Sequence, residues 1–419
     1  MCGFVRAVEK IGIPASDRGA GETAIGHLRA GIARLNERYW SRTLNVWVEG
    51  ADENLRAYQD GRLNPPWWPS ANAVEMLIDF MNAAETSEYD ASLESLYDLR
   101  KDHRGLAARV AAELRRRGQW SDADEARYQR SGKSAGESVP TATEYYSDFQ
   151  NEFLDDSGWW ALAWLKMHDR THAPKYLATA RTIHAHIAKN WRPDKRGGII
   201  WCEDEDKQRP NAITNSLFII LSARLYERTK EPGFLDWAEK TLAWFHEAAL
   251  YDGIAVVDGP GHRGDYWSYN QGTFIGGLTA LHQATGRQEF LDEAVAVTRT
   301  VLHESGLVSP EGVLVEKIGT RGDACLFKGI FARYLAQLSG ALTSQKQRPE
   351  VAEEIDRCLR SSAAALLENG TNSEGFYTAE WHKSARDTRA NFSTQVSALT
   401  ALVAAFSAER NQTLRRGGF

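Results

Sequence analysis

The chain has 419 residues, 42% of them hydrophobic, and a formal charge of −6. That length and apolar content are ample for a large core, and the lack of any basic stripe speaks against a nucleic-acid partner. The four cysteines, Cys2, Cys202, Cys325 and Cys358, lie far apart with no CxxC and no Cys/His cluster, which speaks against a disulfide framework and against a metal site.

The opening segment, MCGFVRAVEKIGIPAS, has no apolar h-region, and no stretch reaches membrane-spanning length. The expectation is a cytoplasmic chain, or a secreted one if a signal has been removed, with no membrane partner. Helical periodicity then predicts about twelve helices, near 22–38, 70–84, 92–116, 144–168, 174–190, 212–229, 233–249, 269–284, 288–303, 323–342, 350–368 and 391–408. Trp67 and Trp68 stand among prolines just ahead of the second. With Trp201 and Trp267, they are candidate loop platforms for the flat face of a sugar. The polar stretch SDADEARYQRSGKSAGESVP (121–140) is expected to be a mobile excursion. GGIIWC and GVLVEKIG, short and bounded by Gly, are expected to be loop hairpins. The tail from 409 to 419 is expected to fray.

Three segments share a pattern: THAPKYLATA (171–180), TKEPGFLDWA (229–238) and TGRQEFLDEA (285–294). Each is Thr, four residues, an aromatic, Leu, two residues, Ala, and each opens an amphipathic helix such as the stripe Tyr176, Ala180, Ile183 and Ile187. Between them lie WWALAWL, SLFIILSARLY, TFIGGLTAL and STQVSALTALVAA, apolar or small nearly all round. Such helices must be covered on all sides. Fully buried helices alternating with half-buried ones describe two concentric rings. The predicted fold is all-α, an (α/α)6 barrel of six inner and six outer helices in one domain, with its core at about 20–408. Links from inner to outer helix are short and links from outer to inner are long. The long loops therefore gather on one face, where sites are usually built.

On that face stands NEFLDDSGWWALAW (151–164), in which Asp155 and Asp156 precede Trp159, Trp160 and Trp164. Counting back from the repeated Thr, the acid pair takes the position held elsewhere by Asn215 and Asn270. Gln271, Asp323 and Gln395 sit at comparable places, so a ring of polar side chains is expected to face the loop side of the axis and suit a polyhydroxylated ligand. An Asp at a helix start is most often a cap favoured by the helix dipole. Two like charges beside three tryptophans are more than a cap needs. Their repulsion and an apolar setting push one proton affinity up, leaving one carboxyl ionised and one protonated, as glycosidic cleavage requires.

LDDSGWWALAWL, GGIIWC followed by NAITNSLFI, WSYNQGTFIGGL and FKGIFARYLAQL together resemble glycoside hydrolase family 76. The likeness runs from about 64 to 405. It implies an (α/α)6-barrel α-mannanase that cleaves α-1,6-linked mannan with retention, needs no cofactor, and takes an oligo- or polysaccharide as its partner. It further implies Asp155 as nucleophile and Asp156 as general acid/base. Asn215, Asn270, Gln271 and Asp258 would hold sugar hydroxyls beside the stacking Trp68, Trp201 and Trp267, while an acid before Gly such as Asp258 is more often a turn residue and Asp323 could equally cap its own helix. Two rivals remain. A sugar epimerase or lyase on the same barrel needs a base such as His262 or His382, and a non-catalytic glycan binder needs no acid pair.

Overall fold

The structure, a computed structural model, describes residues 15–49, 66–101, 103–131, 148–193, 197–382 and 390–416. Its helices are α1 (Ala15–Tyr39), α2 (Trp67–Ala83), α3 (Asp90–Lys101), α4 (His103–Arg116), α5 (Asp122–Ser131), α6 (Leu154–Thr171) and α7 (Pro174–Ala188). There follow α8 (Ala212–Thr229), α9 (Pro232–Glu247), α10 (Ser268–Thr285), α11 (Gln288–Glu304), α12 (Ala324–Ser344), α13 (Pro349–Asn369) and α14 (Phe392–Arg416). Helices α2, α6, α8, α10, α12 and α14 each pack on the next, and α14 returns to α2, closing an inner ring. Outside it, α7, α9, α11 and α13 lie against α6, α8, α10 and α12, and α1 lies against α14. α3 completes the outer layer by setting Tyr97 against Trp164 of α6 and Tyr176 of α7. This is the (α/α)6 barrel. Among the described residues no helix is long and apolar enough to cross a membrane.

The Thr repeat has a local cause. Thr171, Thr229 and Thr285 each close an inner helix by donating to the carbonyl four residues back, Met167, Leu225 and Leu281. Each hydroxyl then accepts the N–H two residues on, from Ala173, Glu231 and Arg287. The intervening residue is left-handed in all three, His172 (φ 57°), Lys230 (φ 57°) and Gly286 (φ 73°). One hydroxyl and one αL residue thus reverse the chain in the fewest possible steps. The small residues of the inner helices have a packing cause. A Cβ on Gly272 would fall 2.7 Å from the Phe331 Cα, and one on Gly276 2.3 Å from the Tyr334 ring. α12 approaches α10 that closely because those side chains are missing.

Three of the long loops are tied by an amide to the first turn of the inner helix they feed. Asn215 accepts from the Ile199 N–H (2.8 Å) and donates to the Ile199 and Asn211 carbonyls (2.9 and 2.8 Å). Gln271 grips Val256 through both its N–H (2.7 Å) and its carbonyl (2.8 Å) and also donates to the Trp267 carbonyl. Gln395 grips Tyr377 in the same two-handed way. A primary amide carries a donor and an acceptor side by side in one plane, so it can complete the N–H and the carbonyl of one residue at once. These residues are buried in full or nearly so, so the bonds also hold each loop at the barrel mouth without leaving a polar group dry. The GGIIWC and GVLVEKIG segments do form loop hairpins, with bridges Trp191–Ile199, Ile200–Pro210 and Val308–Leu314.

Several boundaries differ from expectation. The first helix already runs from Ala15, ahead of the expected 22. The expected helix 92–116 is helical on both sides of residue 102, which lies outside the described residues; α3 buries Leu93, Leu96 and Tyr97 in the main core, and Val110 and Leu114 of α4 pack in a separate cluster with Leu44, Val46 and Val48. The first part of the predicted excursion is helix α5. Ser121 and Asp124 bond reciprocally at its start, Asp124 Oδ2 accepting from the Ser121 N–H (2.8 Å) and Ser121 Oγ from the Asp124 N–H (3.2 Å). Its remainder, 132–140, lies outside the described residues. The helix expected from 144 begins at Leu154, since Asp148 and Phe149 are left-handed (φ 54° and 62°) and Phe153 is extended; 144–147 lie outside the described residues. The tail to Arg416 is helical rather than frayed. Arg415 donates to Thr343 (2.6 Å) and Glu353 (3.1 Å) and pairs with buried Asp356.

Replacing Asn215 with Ala leaves the Ile199 N–H and carbonyl buried without partners, and an unpaired buried group costs about 1–3 kcal/mol. The Asn215→Ala midpoint in urea is expected to fall clearly below the parent's, and Asn215→Gln, which keeps the amide, to recover part of the loss. Equal midpoints for parent and Asn215→Ala would show that the clasp carries no stability.

Candidate active site

α6 starts without a side-chain cap on Phe153. A hairpin does the work instead. The Leu154 N–H donates to the Trp201 carbonyl (2.9 Å), the Glu203 N–H to the Glu152 carbonyl (2.9 Å), and Phe153 bridges Cys202. This strap places the Trp201 indole over the first turn of α6, where Nε1 donates to Asp155 Oδ2 (3.1 Å). Asp155 Oδ1 accepts the Asp156 N–H (3.0 Å). On the other side, the Phe153 N–H fixes Asn151 Oδ1 (3.1 Å), which turns Asn151 Nδ2 onto Asp156 Oδ2 (2.7 Å).

Both acids are half-buried, neither in bulk water nor sealed away. Burial, the largest cause, raises the Asp155 carboxyl to about 7, against hydrogen bonds from the Asp156 N–H and Trp201 that pull it down. Asp156 is pushed well above the usual carboxylate range by burial and by the Asp155 charge, with Asn151 opposing. The two groups compete for one charge. Asp155, with two donors in place, holds it; Asp156, with one, keeps its proton.

The other expected site residues divide. Trp68, the second residue of α2 and no loop residue, stacks on Trp159 (6.1 Å between centroids) and donates through Nε1 to Asp323 Oδ1 (3.3 Å). Asp323 makes no side-chain cap to its own helix; its charge acts on both Asp155 and Asp156. Trp267 sets its ring edge-on to Phe327 at 5.6 Å. Asn270 is buried and donates to Asp258 Oδ1 (3.0 Å), so Asp258 is more than a turn residue, and Asn270 Oδ1 is left buried without a partner. Asn215 and Gln271 are corrections. Their amides hold loop backbone, and Asn215 stands one residue later in the repeat than the acid slot. The slot itself holds Asp156, Thr214 and Asn270; the next holds Ser157, Asn215 and Gln271. Trp67 is also no platform: it lies at the start of α2, edge-on to Trp160 and beneath the Arg100 guanidinium.

Three participants had not been singled out. Tyr269 stacks flat on Phe327 (3.7 Å, 6°), and its hydroxyl is pushed well above its ordinary range by burial and by the charges of Asp258, Asp155 and Asp323. It therefore stays protonated, a donor among three acids. Register finds it, because Tyr269 is to Thr285 what Asp155 is to Thr171. Asn151 carries only the weak signal of an Asx residue two places before a helix. Glu316 reaches from another loop to accept the Ser268 N–H (3.2 Å) and hydroxyl (2.5 Å), which caps α10. No spacing in the sequence announces that pairing. Among the described residues no cluster of three metal-ligating side chains occurs.

The family model for glycosyl hydrolase family 76 matches residues 121–416. The chain belongs to this family. Among curated family relatives, the mannan endo-1,6-alpha-mannosidase DCW1 of Saccharomyces cerevisiae is 26% identical over 278 residues, 59% of each chain. The chain thus spans under two thirds of that relative's length. Among solved structures, an inactive variant of the α-1,6-mannanase GH76A of Salegentibacter sp. HEL1_6, with two consecutive aspartates replaced by alanine and α-1,6-mannotetrose bound, superposes with a TM-score of 0.71. The identity is 23%, over 93% of this chain and 99% of that one. Dfg5 of Chaetomium thermophilum, bound to glucosamine, gives 0.66 at 18% identity over 92% and 90%. These structural likenesses show the fold that this family 76 chain shares.

The raised proton affinities have a thermodynamic consequence. Unfolded Asp titrates near about 3.9, so between about pH 4 and about pH 7 the folded chain binds more protons than the unfolded one. The pair's contribution to stability therefore falls as pH rises through that window. Asp155→Asn combined with Asp156→Asn removes the cost. At pH 8 the double variant is expected to melt about 2–4 °C above the parent, with the gap closing below pH 4. Melting curves that coincide at pH 8 would mean that the carboxyls are not desolvated.

Proposed function

We propose that this chain is a retaining glycosidase that cleaves α-mannosidic bonds, most specifically the α-1,6 linkages of mannan or mannooligosaccharides. The observation that carries the reading is the adjacent acid pair at the barrel mouth, held by unequal sets of hydrogen bonds. The names of the curated relatives and the paired-aspartate variant of the Salegentibacter enzyme support the substrate class.

Asp155 is the nucleophile. Its carboxylate is ionised because Trp201 and the Asp156 N–H stabilise the charge, and its position at the start of α6 adds the positive end of the helix dipole. Asp156 is the acid. It protonates the glycosidic oxygen as Asp155 attacks the anomeric carbon, the C–O bond breaks, and a covalent mannosyl ester forms. Asp156, now ionised and steadied by Asn151, takes a proton from water, whose oxygen attacks the anomeric carbon and releases Asp155. Asp323, the Asp258–Asn270 pair and the Tyr269 hydroxyl present acceptors and donors for sugar hydroxyls. Trp68 and Trp267, both partly exposed, supply apolar faces. Of the two histidines a lyase or epimerase would need, His262 sits on the exposed rim 3.7 Å from Asp265, and His382 acts on Glu311.

Linear α-1,6-mannooligosaccharides tested with the protein should yield new reducing ends and no product absorbing in the ultraviolet. Proton NMR of the first turnovers should show the α anomer before mutarotation; a β anomer first would overturn retention. Asp156→Asn should lose about 10²–10⁴-fold in kcat, and Asp155→Asn at least as much. Trp201→Phe removes a donor from the ionised Asp155, so the acid limb of its kcat/KM profile should move to higher pH. An unmoved limb would remove Asp155 from the nucleophile's role. Mixed intermediate lengths among the products would mark endo action, and mannose released singly would mark exo action.

A further inference from the structure

A cavity of about 510 Å³ opens on the loop face beside the C-terminal end of α9. That size falls within the range of about 300–1,000 Å³ that small-molecule sites occupy. It lies outward from the barrel axis, between the last turn of α9, the end of the strap hairpin and the loop that carries Asp258. None of the catalytic steps uses it.

We propose that this cavity is a second carbohydrate subsite, which takes a neutral hexose unit of the substrate remote from the bond being cut. The inference rests on the glycosidase reading above and extends it. The first argument is continuity. Two residues at the mouth of the cavity each lie one contact from the acid pair's surroundings. Asp258 holds Asn270, the repeat counterpart of Asp156. Arg209 lies 5.6 Å above the Trp201 ring whose Nε1 bonds Asp155. Both contacts place the cavity next to the residues that surround the acids.

The second argument is chemistry. The walls are apolar and rigid: Pro210, Pro260, Ala248 and the buried Trp244. Trp244 is fixed because it packs on Gly197 and Gly198, where a Cβ would fall 2.8 and 2.5 Å from the indole. The lining also carries groups of both signs, Glu247 and Asp258 against Arg209, with Asn211 and the His262 imidazole beside them. Two acids repel an anionic ligand, and the Arg209 guanidinium opposes a cation. Scattered donors and acceptors on an apolar wall are what an uncharged polyol needs. The unit bound here is either the next stretch of the main chain or a branch upon it.

The test uses the whole chain and two variants away from the acids. His262→Ala deletes a polar group from the rim, and Ala248→Phe fills the cavity from a partly exposed position. The kcat/KM is measured on linear α-1,6-mannooligosaccharides of rising length and on branched ones. On the shortest substrate cleaved, both variants should stay within about twofold of the parent. On substrates long or branched enough to reach the cavity, each should lose about tenfold, the effect of one lost hydrogen bond to a polar rim or one blocked sugar. A loss on long linear chains identifies a main-chain unit; a loss confined to branched ones identifies a branch. Variants that match the parent on every substrate, or lose equally on all, overturn the proposal. If the parent cleaves none of them, the glycosidase reading fails by itself. Hydrogen exchange of residues 258–263 with the same oligosaccharides then decides the subsite: protection that weakens in Ala248→Phe supports it, and no protection overturns it.

Discussion

The hairpin strapped across the start of α6 is the constraint on which the site depends. Without the Leu154–Trp201 and Glu203–Glu152 backbone bonds the helix would need a side-chain cap, and Asp155 or Asp156 would supply it. A carboxylate whose lone pairs are all spent on backbone N–H groups has none left for a substrate. The strap satisfies the Leu154 N–H from outside, and the backbone donors left to Asp155 are its own N–H and that of Asp156. The same strand delivers the Trp201 indole to the same carboxylate. One piece of chain thus frees the acid pair and makes its two members unequal.

The rest of the barrel supports that arrangement by repetition. A Thr hydroxyl and an αL residue end α6, α8 and α10, and amides at the starts of α8, α10 and α14 hold the loops that feed them. Glycines on α10 let α12 come close enough for Phe327 to lie flat on Tyr269. The Gly-mediated approach of helices and the aromatic wall opposite the acids are therefore one feature seen at two depths. The buried cluster of Glu75, Lys166, Arg333 and Asp79 ties α2, α6 and α12 together. There Glu75 is held near 2, with burial opposing and Arg333 leading the attractions. It stays ionised because it is paired, whereas among the described residues no cation pairs with Asp155 or Asp156. Burial alone does not decide a carboxyl's state; its partners do.

The sequence carried the barrel because the two rings differ in burial, and burial leaves its mark as periodicity. Helices such as Ser216–Tyr226 have no wet face in either the sequence or the structure. The acid pair was legible for a related reason, since two charges beside three tryptophans have no structural use. What was lost depended on hydrogen bonds between segments far apart in the chain. Asn215 and Gln271 looked like ligands because a buried amide at a barrel mouth is chemically suited to a sugar. Only the loop's path shows that Ile199 and Val256 already occupy them. Glu316 and Asn151 were missed because a carboxylate in one loop capping a helix two elements away leaves no spacing to count. Helix ends moved where tertiary bonds overrode local preference, as at Arg415, whose pairing with Glu353 and Asp356 turns a polar tail into a last helical turn.

The N-terminal end of a helix favours a negative charge, and a half-buried recess penalises it; at Asp155 and Asp156 both act on side chains one residue apart. If the dipole dominated, both acids would ionise and no proton would remain for a leaving group. If burial dominated, both would stay neutral and no nucleophile would form. Two hydrogen bonds to the first acid and one to the second break the tie in a fixed direction, because a donor is worth more to the carboxyl that carries the charge. Asp323, bonded to Trp68, adds a third negative field that raises both affinities and so moves the range in which only one of the pair is ionised to higher pH. The order of roles along the chain, charge first and proton second, therefore follows from where the strap lets Trp201 reach.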